Sequence, residues 1–155
     1  MASGMTNTAL KEILNGTIDL DTDSLKVMLV DNDYVFDPDN PVVDKNDDSV
    51  QDAHHHELVA TNYVGDFGGA GRKAATVTVD QNDTTNKGTV ALASLTWTSL
   101  GGAANDTIGM ALLIKEGTSD LDSRIIAAWD VTDTPTNGGN VTLNFGGSAP
   151  NITVG

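Results

Sequence analysis

The chain contains no cysteine, which excludes disulfide scaffolds, thiol nucleophiles and thiolate metal sites. Cations are scarce: eight Lys and Arg stand against 22 Asp and Glu, a formal net charge of −14. Tracking a nucleic-acid backbone takes a basic patch, and eight scattered cations do not build one. An anionic membrane surface is disfavoured for the same reason. Neither nucleic acid nor membrane is therefore an expected partner. Long apolar runs are missing too. Met110–Ile114, which no other run exceeds, falls far short of the roughly 20 residues a spanning helix needs. The N-terminal stretch MASGMTNTALKEILNG has no basic start, apolar run or cleavage box, so no secretory signal is expected. Glutamate occurs only at positions 12, 57 and 116; all other acidic residues are aspartate.

What is present is Asp, Asn, Gly and Thr. The first three form turns, because short polar side chains bond their own backbone and glycine tolerates positive φ. Thr favours strands. Good straight-chain helix formers are few. The 155 residues fit one domain, and a chain of that length buries roughly 68–70% of its unfolded surface without staples. There is no internal repeat and no low-complexity linker.

Residues 7–15 read as a short helix. Asn7 or Thr8 caps it, Leu10, Ile13 and Leu14 share a face, and Gly16 stands at the stop. Leu25–Val30 is a strand with Leu25, Val27 and Leu29 on one face. A long irregular stretch follows over 31–52, with Pro38, Pro41 and many Asp. Loops longer than about 12–15 residues tend to be functional or mobile, so this one is a candidate for partner contacts, beside the plain reading of a solvated excursion. From Lys73 to Asp80 the pattern has period two, a half-buried strand. A turn over 81–87 leads to a strand through Val90 and Leu92, continued by Leu95 and Trp97. Thr107–Glu116 is apolar on both faces, as in a central strand. Ser123–Val131 is a strand with Ile125, Ala127 and Trp129 on one side. After the turn at 134–140 come Val141, Leu143 and Phe145, then a short edge at Ile152 and Val154. Six to eight strands with short links predict an all-β fold: a mainly antiparallel β-sandwich or barrel-like domain over 17–155. Residues 1–16 form an N-terminal arm with a short helix. Trp97, Trp129 and Phe145 are the expected core anchors.

Three features invite chemistry. His54-His55-His56 places His54 and His56 on one side of an extended chain, and imidazole binds zinc, nickel or copper; the plain reading is an exposed polar loop. Asp19-Leu-Asp21-Thr-Asp23 opens like a calcium loop. It then has Ser24 where a glycine belongs and Val30 where a bidentate Glu belongs, so no EF-hand forms. The glycine-rich run 65–71 before Arg72-Lys73 lacks both the Walker spacing and the strand–helix context of a dinucleotide fingerprint. It reads instead as a turn that lets the backbone approach another element, with Arg72 and Lys73 free to pair with Asp residues of this chain or of a neighbouring subunit. No nucleophile elbow is present, and abundant Asp makes any carboxylate pair uninformative. No enzyme activity and no cofactor are expected.

Several segments carry a family pattern. They are IDLDTDSLKVMLV (18–30), a loop with Y-x-F-x-P-D, ELVATNYVGDFGGAGRKAATVTVD, ALASLTWTSLGG, TIGMALLIKEGTSDLDSRIIAAWD and TNGGNVTLNF. Over nearly its whole length the chain resembles small virion structural proteins of tailed bacteriophages. The resemblance implies a capsid decoration (cement) protein on the capsid exterior, assembled in the host cytoplasm as a homotrimer that bridges major capsid protein subunits. A head–tail connector or tail protein, and a calcium- or carbohydrate-binding sandwich for host recognition, are the alternatives. Segments 1–16, 31–52 and 63–73 would do the bridging. The candidate partner contacts are Leu10, Ile13, Leu14, Tyr34, Phe36, Tyr63, Phe67, Arg72 and Lys73.

Overall fold

The computed structural model describes residues 3–47, 49–84, 87–145 and 151–154. Within them no helix is long and apolar enough to cross a membrane. The chain folds as antiparallel β-sheet with one short helix, the all-β class its pattern predicts.

Strand β1 (Gly4–Met5) precedes helix α1 (Asn7–Leu14). Then come β2 (Leu25–Asp31), β3 (Lys73–Ala74), β4 (Val77–Asn82), β5 (Lys87–Leu92) and β6 (Leu95–Leu100). The last four are β7 (Thr107–Lys115), β8 (Arg124–Pro135), β9 (Gly139–Asn144) and β10 (Asn151–Val154). Five strands form a central sheet in the order β1-β8-β7-β2-β3; β10-β9-β6 form a second sheet, and β4-β5 a separate ribbon.

Helix α1 is capped by Thr6, one residue before the expected cap, whose Oγ1 accepts from Ala9 N at 3.2 Å. The same hydroxyl donates to Ile125 O at 2.7 Å. Together with the pairing of β1 on β8, this builds the N-terminal segment into the sheet. Gly16 ends the helix at φ +76°, where glycine carries no Cβ penalty.

The central strands are apolar on both faces because both faces are covered. On β2, Val27, Met28, Leu29 and Val30 all have no exposure, and each such side chain contributes about 1.5–3 kcal/mol by burial. Val27 and Leu29 join Ala111, Leu113 and Ile126 in a core with Trp97, Leu100, Val141 and Leu143 of the second sheet. Met28 and Val30 join Met110, Leu112, Ile114, Ile125 and Ala128 in another core, closed by Tyr34, Phe36, Val43 and Ala53. The third layer is therefore the long loop. It has no strand ladder of its own, and it is pinned to the sheet by Ile125 N donating to Pro41 O (2.8 Å) and Val43 N donating to Ser123 O (3.1 Å).

Three sequence readings are corrected. The strand expected through Val90 and Leu92 and on to Leu95 and Trp97 is two strands, β5 in the ribbon and β6 in the second sheet. The strand expected over 73–80 is two strands, β3 on the central sheet and β4 in the ribbon. On β8, Ile125 and Ala127 do not share a side. Leu113 pairs with Ala127 but Ile114 pairs with Ile125, so Ile126 is an extra residue. A bulge of this kind shifts every later side chain to the other face, and Ile125 lies in one core while Ala127 lies in the other.

Candidate functional site

Three of the buried polar residues, Arg72, Glu57 and Asp120, form one cluster around Arg72, whose side chain is fully buried. Its Nε and Nη2 donate to Glu57 Oε1 and Oε2 at 2.9 and 2.6 Å. Its Nη1 and Nη2 donate to Asp120 Oδ1 and Oδ2 at 2.5 and 3.0 Å. Two fork-to-fork pairs on one guanidinium use its planar geometry fully. Burial alone pushes this guanidinium's pKa down; the hydrogen bonds it donates to Glu57 and then to Asp120 outweigh that and hold it above its ordinary value. Tyr63 adds a further link, donating to Glu57 Oε1 at 3.1 Å and accepting from Leu29 N at 3.1 Å. Burial, and then the Glu57 charge, push its phenol well up. Glu116 Oε2 lies 2.6 Å from Lys26 Nζ. Its Oε1 is 3.6 Å from Arg72 Nη1 and finds no hydrogen bond among the described residues.

The glycine-rich run places Arg72 there. A Cβ on Gly69 would stand 1.9 Å from Gly65 O, and one on Gly71 would stand 2.9 Å from the Tyr63 ring. Only bare backbone fits in either place. Gly71 O accepts from Trp97 Nε1 at 2.7 Å, so the turn is locked to β6. This is the close backbone approach that the glycines predict.

The histidines divide. His54 Nδ1 lies 3.1 Å from Asp120 Oδ2, and His56 Nδ1 lies 3.0 Å from both Asp31 oxygens. The structure thus does not bring His54 and His56 to one ligand set. Instead, His54, Glu57 and Asp66 present ligand atoms within 4.8 Å of one another. They line an open pocket of about 370 Å³ together with His55, Leu58, Tyr63 and Gly65.

The aspartate clusters close on their own backbone. Asp19 Oδ1 accepts from Asp21 N and Thr22 N, and Asp23 Oδ2 accepts from Asp19 N. In the long loop, Asp31, Asp37, Asp44, Asp47 and Asp52 all accept from nearby N–H groups. These are Asx turns, and they hold the strandless loop in shape.

The candidate partner contacts separate by exposure. Leu10 is 48% exposed, Leu14 80% and Phe67 46%. Ile13 packs part-buried on the core, and Lys73 lies half-buried with Nζ 5.8 Å from the Trp97 ring centroid. Tyr34, Phe36, Tyr63 and Arg72 are buried, so the folded chain offers none of these four to a partner. Their aromatic or cationic character suits contact equally well in an interior, which is why sequence did not distinguish the two. Glu57, Asp120 and Asp66 were not singled out as site residues. For Glu57 a signal existed: with only three glutamates in the chain, two of them, Glu57 and Glu116, stand at the one buried arginine. No family model, curated protein or solved structure matches the chain.

Proposed function

We propose that this protein is a structural component of a tailed-phage virion, decorating the outside of the capsid and bridging major capsid protein subunits as a homotrimer. The observation that carries the reading is the sequence resemblance across Ile18–Val30, Tyr63–Val79, Leu95–Trp97 and Ile114–Asp130. These four segments meet in space: Tyr63 bonds Leu29, Gly71 bonds Trp97, and Arg72 bonds Asp120. They form the framework that holds the surface segments in place.

The surface is compatible with adhesion. Leu10 and Leu14 stand exposed one turn apart on α1, and Val59, Val64 and Phe67 are exposed on the loop before Arg72. Single exposed apolar residues are ordinary, whereas groups of them suit a contact surface. Modest contacts suffice when many copies repeat them around a shell.

The test is capsid binding. Purified protein should sediment as a trimer and bind saturably to mature heads that lack it, on the order of hundreds of copies per particle. Leu14→Ser with Leu10→Ser, both on the surface and within about 0.5 kcal/mol of wild-type stability, should weaken that binding. A monomer that ignores such heads ends the proposal. A small symmetric ring of copies per particle moves the protein to the head–tail connector.

A further inference from the structure

We propose that the pocket beside Arg72 binds one divalent transition-metal ion through His54, Glu57 and Asp66. The inference is independent of any role on a capsid. Three donors from one short stretch of chain converge to within 4.8 Å of one another. Ligands at about 2.0–2.2 Å from a tetrahedral zinc lie roughly 3.3–3.6 Å apart, so the set is within about 1.5 Å of closure. Asp66 can supply that movement, because its side chain is 86% exposed. The pocket of about 370 Å³ at the same residues has room for the ion and for waters on its open side.

Three further features favour a cation here. First, Glu57, Asp66 and Asp120 surround the site against the single guanidinium of Arg72, a formal surplus of two negative charges. Second, His54 Nδ1 lies 3.9 Å from Asp66 Oδ1 and 3.1 Å from Asp120 Oδ2, so Asp120 holds the imidazole in place beside the other donors. Third, Glu57 is immobilised by Arg72 and Tyr63, so its position requires no ordering on binding. The bond Glu57 gives up is the one its Oε2 accepts from Asp66 N at 2.9 Å, at the solvent side; both guanidinium bonds stay. One imidazole and two carboxylates suit zinc, cobalt or nickel, whereas calcium asks for six to eight oxygens. His56 is tied to Asp31 and takes no part.

Cobalt(II) is the probe, read by its visible absorption and by calorimetric titration of the full chain, with calcium as the contrast. Wild type should bind one ion per chain with a rise in Tm, and calcium at the same concentration should leave Tm unchanged. Asp66→Asn, an exposed change that leaves the fold intact, should weaken binding on the order of tenfold or more, as should His54→Gln. His56→Gln should leave affinity unchanged. Absence of saturable one-to-one binding overturns the proposal. So does indifference to Asp66→Asn, or equal loss in His56→Gln, either of which would mean that the histidine run chelates by itself. An equal Tm rise with calcium overturns the choice of metal class.

Discussion

The two faces of the central sheet are buried to the same degree by different means. One face meets a second sheet, so strand packs on strand, with Trp97, Leu100, Val141 and Leu143 as the filling. The other meets a loop without a ladder, which delivers Tyr34, Phe36, Val43 and Ala53. A sheet cover satisfies its backbone by pairing. The loop cover satisfies its backbone by Asx turns and by bonds into the sheet rim at Pro41 and Val43. The lesson is that a tightly packed layer does not require periodicity in the segment that forms it; it requires a few apolar anchors and a place for each N–H group. The Arg72 network joins the two solutions, because Glu57 ends the loop side, Tyr63 reaches Leu29 of β2, and Asp120 lies in the β7–β8 turn.

The largest expected effect comes from cutting that joint. Arg72→Ala leaves Glu57 and Asp120 buried without their cation and should cost about 3–5 kcal/mol, read from the urea midpoint. A loss under about 1 kcal/mol would mean that the two halves stand independently. Phe36→Ala asks whether the loop is a true packed layer. A side chain 7% exposed should cost about 3–5 kcal/mol on truncation, as a sheet-covered residue would; a surface-like cost would reduce the loop to a drape.

Tyr34→Phe works in the opposite direction. Its hydroxyl is buried and finds no hydrogen bond among the described residues; burial, and then the Asp37 and Asp52 charges, push its phenol up. Removing an unsatisfied group should raise stability by about 1 kcal/mol. A drop in Tm would show that the hydroxyl has a partner.

The smallest effect is from acid. Asp19, Asp23 and Asp47 lie below the ordinary 3.8, held down chiefly by the Asp21 N–H, the Lys115 ammonium and the Ser49 hydroxyl respectively. A carboxyl depressed in the folded state adds stability above its unfolded pKa and loses it as pH falls through its folded one. Urea midpoints should therefore fall as pH drops below about 4, and Asp19→Asn with Asp47→Asn should flatten that fall. Asp19 and Asp47 are exposed and Asp23 is partly so, which keeps the effect small.

How much was legible follows from where the physics is local. Strand β7 was plain, because nine consecutive residues without a polar face fit only a position covered on both sides. The stop at Gly16 and the turn signals at 101–106 and 134–140 were equally local. The bulge at Ile126 was not, since an inserted residue leaves the composition of β8 unchanged and shows only in its partner's register. The loop layer was hidden because Tyr34, Phe36 and Val43 are spaced by no period, so the segment reads as solvent-facing. The candidate site was hidden for a related reason. Arg72 stood out by scarcity, but its partners lie 15 and 48 positions away, and nothing in a row of letters marks which of many aspartates folds back to it. His54 was visible as a donor; its companionship with Asp66 depends on a left-handed turn at that residue, φ +63°.

The central sheet ends on both sides in a strand of two residues, β1 and β3. So brief a margin gives a neighbouring chain almost no exposed ladder to copy. Molecules crowded side by side would find only two residues to pair with on β1 or on β3, so these edge strands themselves offer little purchase for fibril growth.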